Sequence, residues 1–127
     1  MPYVTYKDLE IWKLSREIVT EIHQMTLEQL PKFEMFEIGS QIRRSSKSVK
    51  SCIVEGFGRR QYKQEFLRFL TFSIASNDET RDHLETLYET GSLKDEKKFT
   101  ELQTMVNELG KKLYFFYQAV QKEHLTN

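Results

Sequence analysis

Apolar residues recur along this chain at alternating spacings of four and three, the repeat that lays one stripe along an α-helix. Ile11, Ser15, Ile18, Ile22 and Met25 make the first stripe, widened by Trp12 and Val19, with Lys13, Arg16, Glu17 and Glu21 on the other side. Thr5 followed by Asp8 is a variant of the capping box, so this helix is predicted to begin near Thr5. Lys13 and Glu17 stand four apart, an exposed pair expected to add about 0.3 kcal/mol. Pro31 ends the element, because a proline ring is not accommodated in a helix interior.

After a short connection at Pro31–Phe33, a second helix is predicted with its seam on Met35, Ile38, Ile42, Ser45, Val49, Cys52 and Gly56. Its small members would let a neighbouring helix approach closely. Gly39 inside it costs about 1 kcal/mol against Ala, unless it marks close packing. Gly56-Phe57-Gly58 reads as the clearest break, with a tight turn predicted over Gly56 to Arg60. The third helix carries Phe66, Leu70, Ser73, Asn77, Thr80, Leu84 and Leu87, where Asn77 and Thr80 must find hydrogen-bond partners. Gly91 is a natural residue to follow its end. Ser92, with Asp95 three residues on, is predicted to cap a fourth helix bearing Phe99, Leu102, Val106, Leu109, Leu113, Phe116 and Val120. Four amphipathic helices with short links imply an all-α, antiparallel up-down-up-down four-helix bundle, one domain over residues 1–127.

Composition agrees. Pro and Gly total seven in 127 residues, which favours long regular elements, and the length is that of one domain. The single cysteine, Cys52, excludes an internal disulfide and points to a reducing compartment. The opening residues show no basic segment followed by an apolar run, and no stretch is long and apolar enough to span a bilayer, so a soluble cytoplasmic protein is expected.

Charge changes the picture most. Formal net charge is zero, yet Gln41 to Arg68 holds eight basic residues against Glu55 and Glu65. That stretch therefore carries +6 and the remainder −6. Arg43, Arg44, Lys47, Lys50, Arg59, Arg60 and Lys63 are candidate phosphate contacts on RNA or DNA. Phe57 and Tyr62, interleaved with them, are candidate stacking partners for unpaired bases. The competing reading is a solvated face paired within the chain or between subunits with the acids of Asp78 to Glu96. Phe69, Phe72, Phe115 and Tyr117 lie off the main stripes and imply either a wide core or an oligomer interface.

No catalytic chemistry stands out. His23, His83 and His124 occur in no Glu-x-x-His pattern and Cys52 has no paired cysteine, so no metal site and no cofactor is expected. Arg16 and His23 have a spacing that resembles the Arg–His pair of helical HEPN-type ribonucleases, without other elements of such a site. Gly56-Phe57-Gly58-Arg59 lacks the Gly-Lys-Ser/Thr of a phosphate loop.

Several segments in order resemble one family. YKDLEIWKLSREIVTEIH, QIRRSSKSV, EGFGRR, KQEFLRFLTFSIAS and ETLYETG are similar to the 23S rRNA intervening-sequence proteins of bacteria. The resemblance implies a small helical bundle assembling as a ring-shaped homopentamer, with no enzymatic activity established for the family. A more distant similarity, to the accessory variability determinant of diversity-generating retroelements, implies a basic surface, nucleic acid and a reverse transcriptase as partners. An adaptor role follows from it. The chain departs from the family pattern at Lys50 and Cys52, where members usually carry proline and asparagine. Loss of that proline is expected to straighten the second helix.

Overall fold

A computed structural model describes residues 5–123, and among them every regular element is helical. Helix α1 spans Glu10–Glu28, α2 Ile38–Gly58, α3 Lys63–Glu89 and α4 Glu96–Glu123. Single 3-10 turns at Tyr6–Asp8 and Lys32–Phe36 precede α1 and α2.

The capping box at Thr5 forms, but it closes a different element. Asp8 Oδ2 accepts from the Thr5 N–H at 3.1 Å, and Thr5 Oγ1 accepts from Lys7 N–H at 3.0 Å. The box caps the 3-10 turn; Leu9 is then extended, and α1 starts at Glu10. Ile11, Trp12, Ser15, Ile18, Ile22 and Met25 are buried as the spacing predicts. Lys13 pairs with Glu10 at 3.8 Å rather than with Glu17, so that expectation is corrected.

Met35 also departs from expectation. The backbone at Glu37 (φ −115°, ψ −130°) is not helical, so α2 begins at Ile38 and Met35 sits exposed in the preceding 3-10 turn. Glu34 is what folds this turn back. Its buried carboxylate accepts from the Gly39 N–H at 3.2 Å and from Ser92 Oγ at 2.7 Å, tying the α1–α2 connection to the first turn of α2 and to the α3–α4 connection. Ser92 is thereby taken from the capping role expected of it. Asp95 caps α4 instead, its Oδ1 accepting from Lys98 N–H at 3.1 Å. Gly91, at φ 84°, follows the end of α3 as expected.

The glycine pair does not break α2. The helix runs unbroken through Gly56 and Phe57 to Gly58, and the turn falls on residues 59–62. Gly56 is helical because α3 crosses there: an added Cβ would stand 3.1 Å from Phe69 Cβ. Small residues hold the rest of that seam close. Ser73 Oγ donates to Val49 O at 2.8 Å, Ser48 and Ser76 meet at 2.9 Å, and Ser45 and Thr80 at 2.8 Å. As α2 residue numbers fall from 49 to 45, their α3 partners rise from 73 to 80, so the two helices are antiparallel. Tyr88 stacks on Phe99, Asn77 Nδ2 donates to Val106 O and Phe66 meets Phe116, so α3 and α4 are antiparallel as well. Helices α1 and α4 close the ring through Lys98 and Glu21. All seven residues of the α3 stripe are buried, and its apolar members Phe66, Leu70, Leu84 and Leu87 belong to one cluster fed by all four helices.

Candidate nucleic-acid interface

Burying Ile42, Ser45, Val49 and Ile53 against α1 and α3 turns the opposite side of α2 to solvent. At 3.6 residues per turn, exposed Arg44 and Lys47 share that outer side with Ser51 and Glu55, while half-buried Arg43 and Lys50 lie along the flank away from α3. Lys47 is exposed, Lys50 half-buried. The chain then turns at residues 59–62 and adds Arg59, Arg60 and Lys63 at the same end of α3. The basic residues therefore lie in two groups, Arg43 to Lys50 on α2 and Arg59 to Lys63 at the following turn, with exposed Glu55 between them.

Its members do different things. Arg43 Nη2 donates to Met35 O at 2.8 Å, which pins the 3-10 turn to α2, while its Nη1 is buried without a partner among the described residues. Arg44 pairs with Glu79 at 3.5 Å, and Glu79 also meets His83 Nε2 at 3.2 Å. Arg59 donates to Glu55 O at 3.1 Å and lies 3.8 Å from Glu65. Arg60 donates to Phe57 O and sits 4.2 Å above the Phe57 ring. No ion pair to Lys47, Lys50 or Lys63 occurs among the described residues. Pairing within the chain thus engages Arg44 and Arg59, while those three lysines remain without an acid partner.

The two aromatic candidates part company. Tyr62, at 67% exposure, stands open beside the turn. Phe57 is only 4% exposed and packs edge-on against Phe66 beneath Arg60. It is a core side chain and cannot receive a base, which corrects its expected role. The reason is helix length: because α2 continues to Gly58, residue 57 falls one turn after buried Ile53 on the inward side.

Beside Tyr62 stand Phe69 and Phe72, which the sequence places in a wide core or an oligomer interface and not in a nucleic-acid site. Tyr62, Glu65, Phe69 and Phe72 are spaced three, four, three along α3 and share a face beside the main stripe. Phe69 is half-buried and Phe72 is 41% exposed, so the wide-core reading fails for Phe72, as it does for exposed Phe115.

The other candidates stay dispersed. Arg16 lies over Trp12, 5.5 Å from its ring centroid, and His23 is exposed about 10.5 Å along α1, with no third group gathered beside them. Among the described residues no group of three metal-ligating side chains occurs; His124 lies outside them. Cys52 is half-buried beside Ser48, and burial pushes its thiol above the usual range. Between α1 and α4 runs an open groove of about 1290 Å³, lined by both signs of charge, including Lys13, Glu17, Lys97 and Glu101. Among the described residues, no helix is long and apolar enough to cross a membrane.

No curated protein matches the chain. A crystal structure described as a protein with unknown function from the S23 ribosomal protein family of Bacteroides thetaiotaomicron is similar at a TM-score of 0.74 and 21% identity. The match covers 85% of this chain and 95% of that one, and at this identity it shows a shared fold. Residues 7–115 match the model of one family, across α1 to α3 and most of α4, and the chain accordingly belongs to the 23S rRNA-intervening sequence protein family.

Proposed function

We propose that the protein is a non-enzymatic, RNA-associated binding or adaptor protein that takes up phosphates along α2 and its following turn. The observation that carries this reading is that Lys47, Lys50 and Lys63, within the basic stretch along α2 and its following turn, have no acid partner among the described residues. Strong segregation of charge in a chain of zero net charge supports it, since a local patch rather than bulk charge must supply affinity. A homo-oligomer, the pentamer that the family resemblance implies, would display the patch several times and raise a weak affinity by avidity. A nucleic-acid-handling enzyme such as a reverse transcriptase is the protein partner that fits an adaptor of this kind, and the cytoplasm is the compartment.

The test is a titration of RNA and DNA binding between about 50 and 200 mM salt, with oligomer mass followed by light scattering. The wild type should lose affinity steeply, and Lys47→Ala/Lys50→Ala/Lys63→Ala should flatten the slope by about 2 on a log–log plot at unchanged mass. No binding at any salt would overturn the reading. Arg43 is left intact because it anchors Met35. A second reading, a module that docks another protein, draws on the exposed aromatics of the 3-10 turn before α2, where Phe36 is 87% exposed beside exposed Phe33. Under it, Phe33→Ser/Phe36→Ser would change oligomer mass or partner capture and leave RNA affinity untouched.

A further inference from the structure

The face of α3 beside the basic turn has a construction that phosphate contacts alone do not explain. The Arg59 guanidinium lies 4.5 Å from the Phe69 ring centroid. Arg68 lies 5.8 Å from Phe69 and 5.4 Å from Phe72. Glu65 meets both arginines, at 3.8 and 3.4 Å, and so fixes them against the rings. The two rings meet edge to face at 5.5 Å, which leaves Phe72 with an open side at 41% exposure. From Glu55 to Phe72 the surface offers four cations, Arg59, Arg60, Lys63 and Arg68, against two carboxylates, and Glu65 is already engaged. An exposed phenyl ring beside the Arg68 guanidinium, with Arg59 on the adjoining Phe69 ring, suits a flat π-system attached to an anion.

We infer that Phe72, with Arg68 and Arg59, forms a stacking platform for an unpaired base, so that the ligand of the basic surface is single-stranded RNA rather than duplex. This rests on the phosphate-binding reading above and adds the strandedness of the ligand. A base seated on Phe72 leaves its backbone phosphates beside Arg68 and the turn. Base pairs inside a duplex have no face to offer. The platform is sequence-tolerant, because every base has a π-face.

The test compares a fluorescein-labelled single-stranded 12-nucleotide oligoadenylate with a duplex RNA of equal length, at one low salt concentration. The wild type should bind the single strand at least about tenfold more tightly. Phe72→Leu, which keeps an apolar residue at an exposed position, should lower single-strand affinity about tenfold and leave duplex affinity and salt slope unchanged. Phe72→Trp should retain or raise single-strand affinity, a rescue that a merely structural role would not give. Equal binding of the two probes, or Phe72→Leu matching the wild type, overturns the platform and leaves the phosphate surface standing. Binding of neither probe overturns both.

Discussion

Replacing Gly39 with alanine should destabilise the fold, although helix propensity argues the other way. Alanine gains about 1 kcal/mol over glycine inside a helix. Here its Cβ would stand 2.3 Å from the Glu34 carbonyl oxygen and 3.3 Å from Glu34 Cβ. The obstacle is backbone, so relief requires the 3-10 turn to retreat by about 1 Å to reach ordinary contact. That retreat pulls the buried Glu34 carboxylate away from the Gly39 N–H and Ser92 Oγ. Hydrogen bonds to a charged group are worth about 1.5–3 kcal/mol each, so weakening both outweighs the propensity gain and leaves a net loss of about 2–4 kcal/mol. Urea unfolding followed by circular dichroism reads this directly. With a denaturant dependence of about 2 kcal/mol per molar, the midpoint should fall by about 1–2 M. Gly58→Ala is the matched control, since an added Cβ there meets nothing within 4 Å. It should stay within about 0.5 kcal/mol of the wild type or stabilise. A Gly39→Ala midpoint at or above that of the wild type would refute the close-packing argument.

Phe57→Ala should cost about 3–5 kcal/mol in urea unfolding while the folded fraction keeps its salt slope for RNA; a selective loss of RNA affinity at full stability would restore its stacking role. Asn77→Asp should cost about 3 kcal/mol at neutral pH, because the Asn77 amide donates to Val106 O and a carboxylate there would be buried facing an acceptor. Such a buried acid has its folded pKa raised, so the penalty should grow as pH rises above about 4 and shrink below it; a penalty independent of pH would contradict this. Cys52, its thiol pushed up by burial, should react with iodoacetamide more slowly than a free thiol at neutral pH and accelerate in the alkaline range. Labelling as fast as that of a free cysteine would contradict its placement in the α2–α3 seam.

The elements that the sequence made legible are those decided by periodicity. The α3 stripe from Phe66 to Leu87 is buried residue for residue because seven side chains at one spacing leave a single inward face. Segment ends were harder, because local chemistry is shared by different elements. The Thr5–Asp8 box makes the same bonds whether an α-helix or a 3-10 turn follows. Ser92 looked like a cap, but its hydroxyl goes to Glu34, 58 residues away in sequence, a partner no local pattern reveals. Gly56 and Gly58 looked like a break; packing against Phe69 keeps the first in the helix. That extra turn of α2 is what moved Phe57 from the surface to the core. In the candidate site, the basic residues were legible by charge alone. Their division into anchors such as Arg43 and lysines without acid partners was not, since it depends on which acids the fold brings near. Phe72 could have been found as the outer member of the Tyr62–Glu65–Phe69–Phe72 spacing.

The central claim is that phosphate binding is confined to one surface. The most direct test compares two double charge reversals of equal size, Lys47→Glu/Lys50→Glu on α2 and Lys97→Glu/Lys111→Glu at exposed positions of α4. Single-stranded RNA affinity is measured at about 50 mM salt with helical content checked in parallel. The account expects the first pair to lose about 30-fold or more and the second less than about threefold. Equal losses from the two pairs, or none from either, would contradict it.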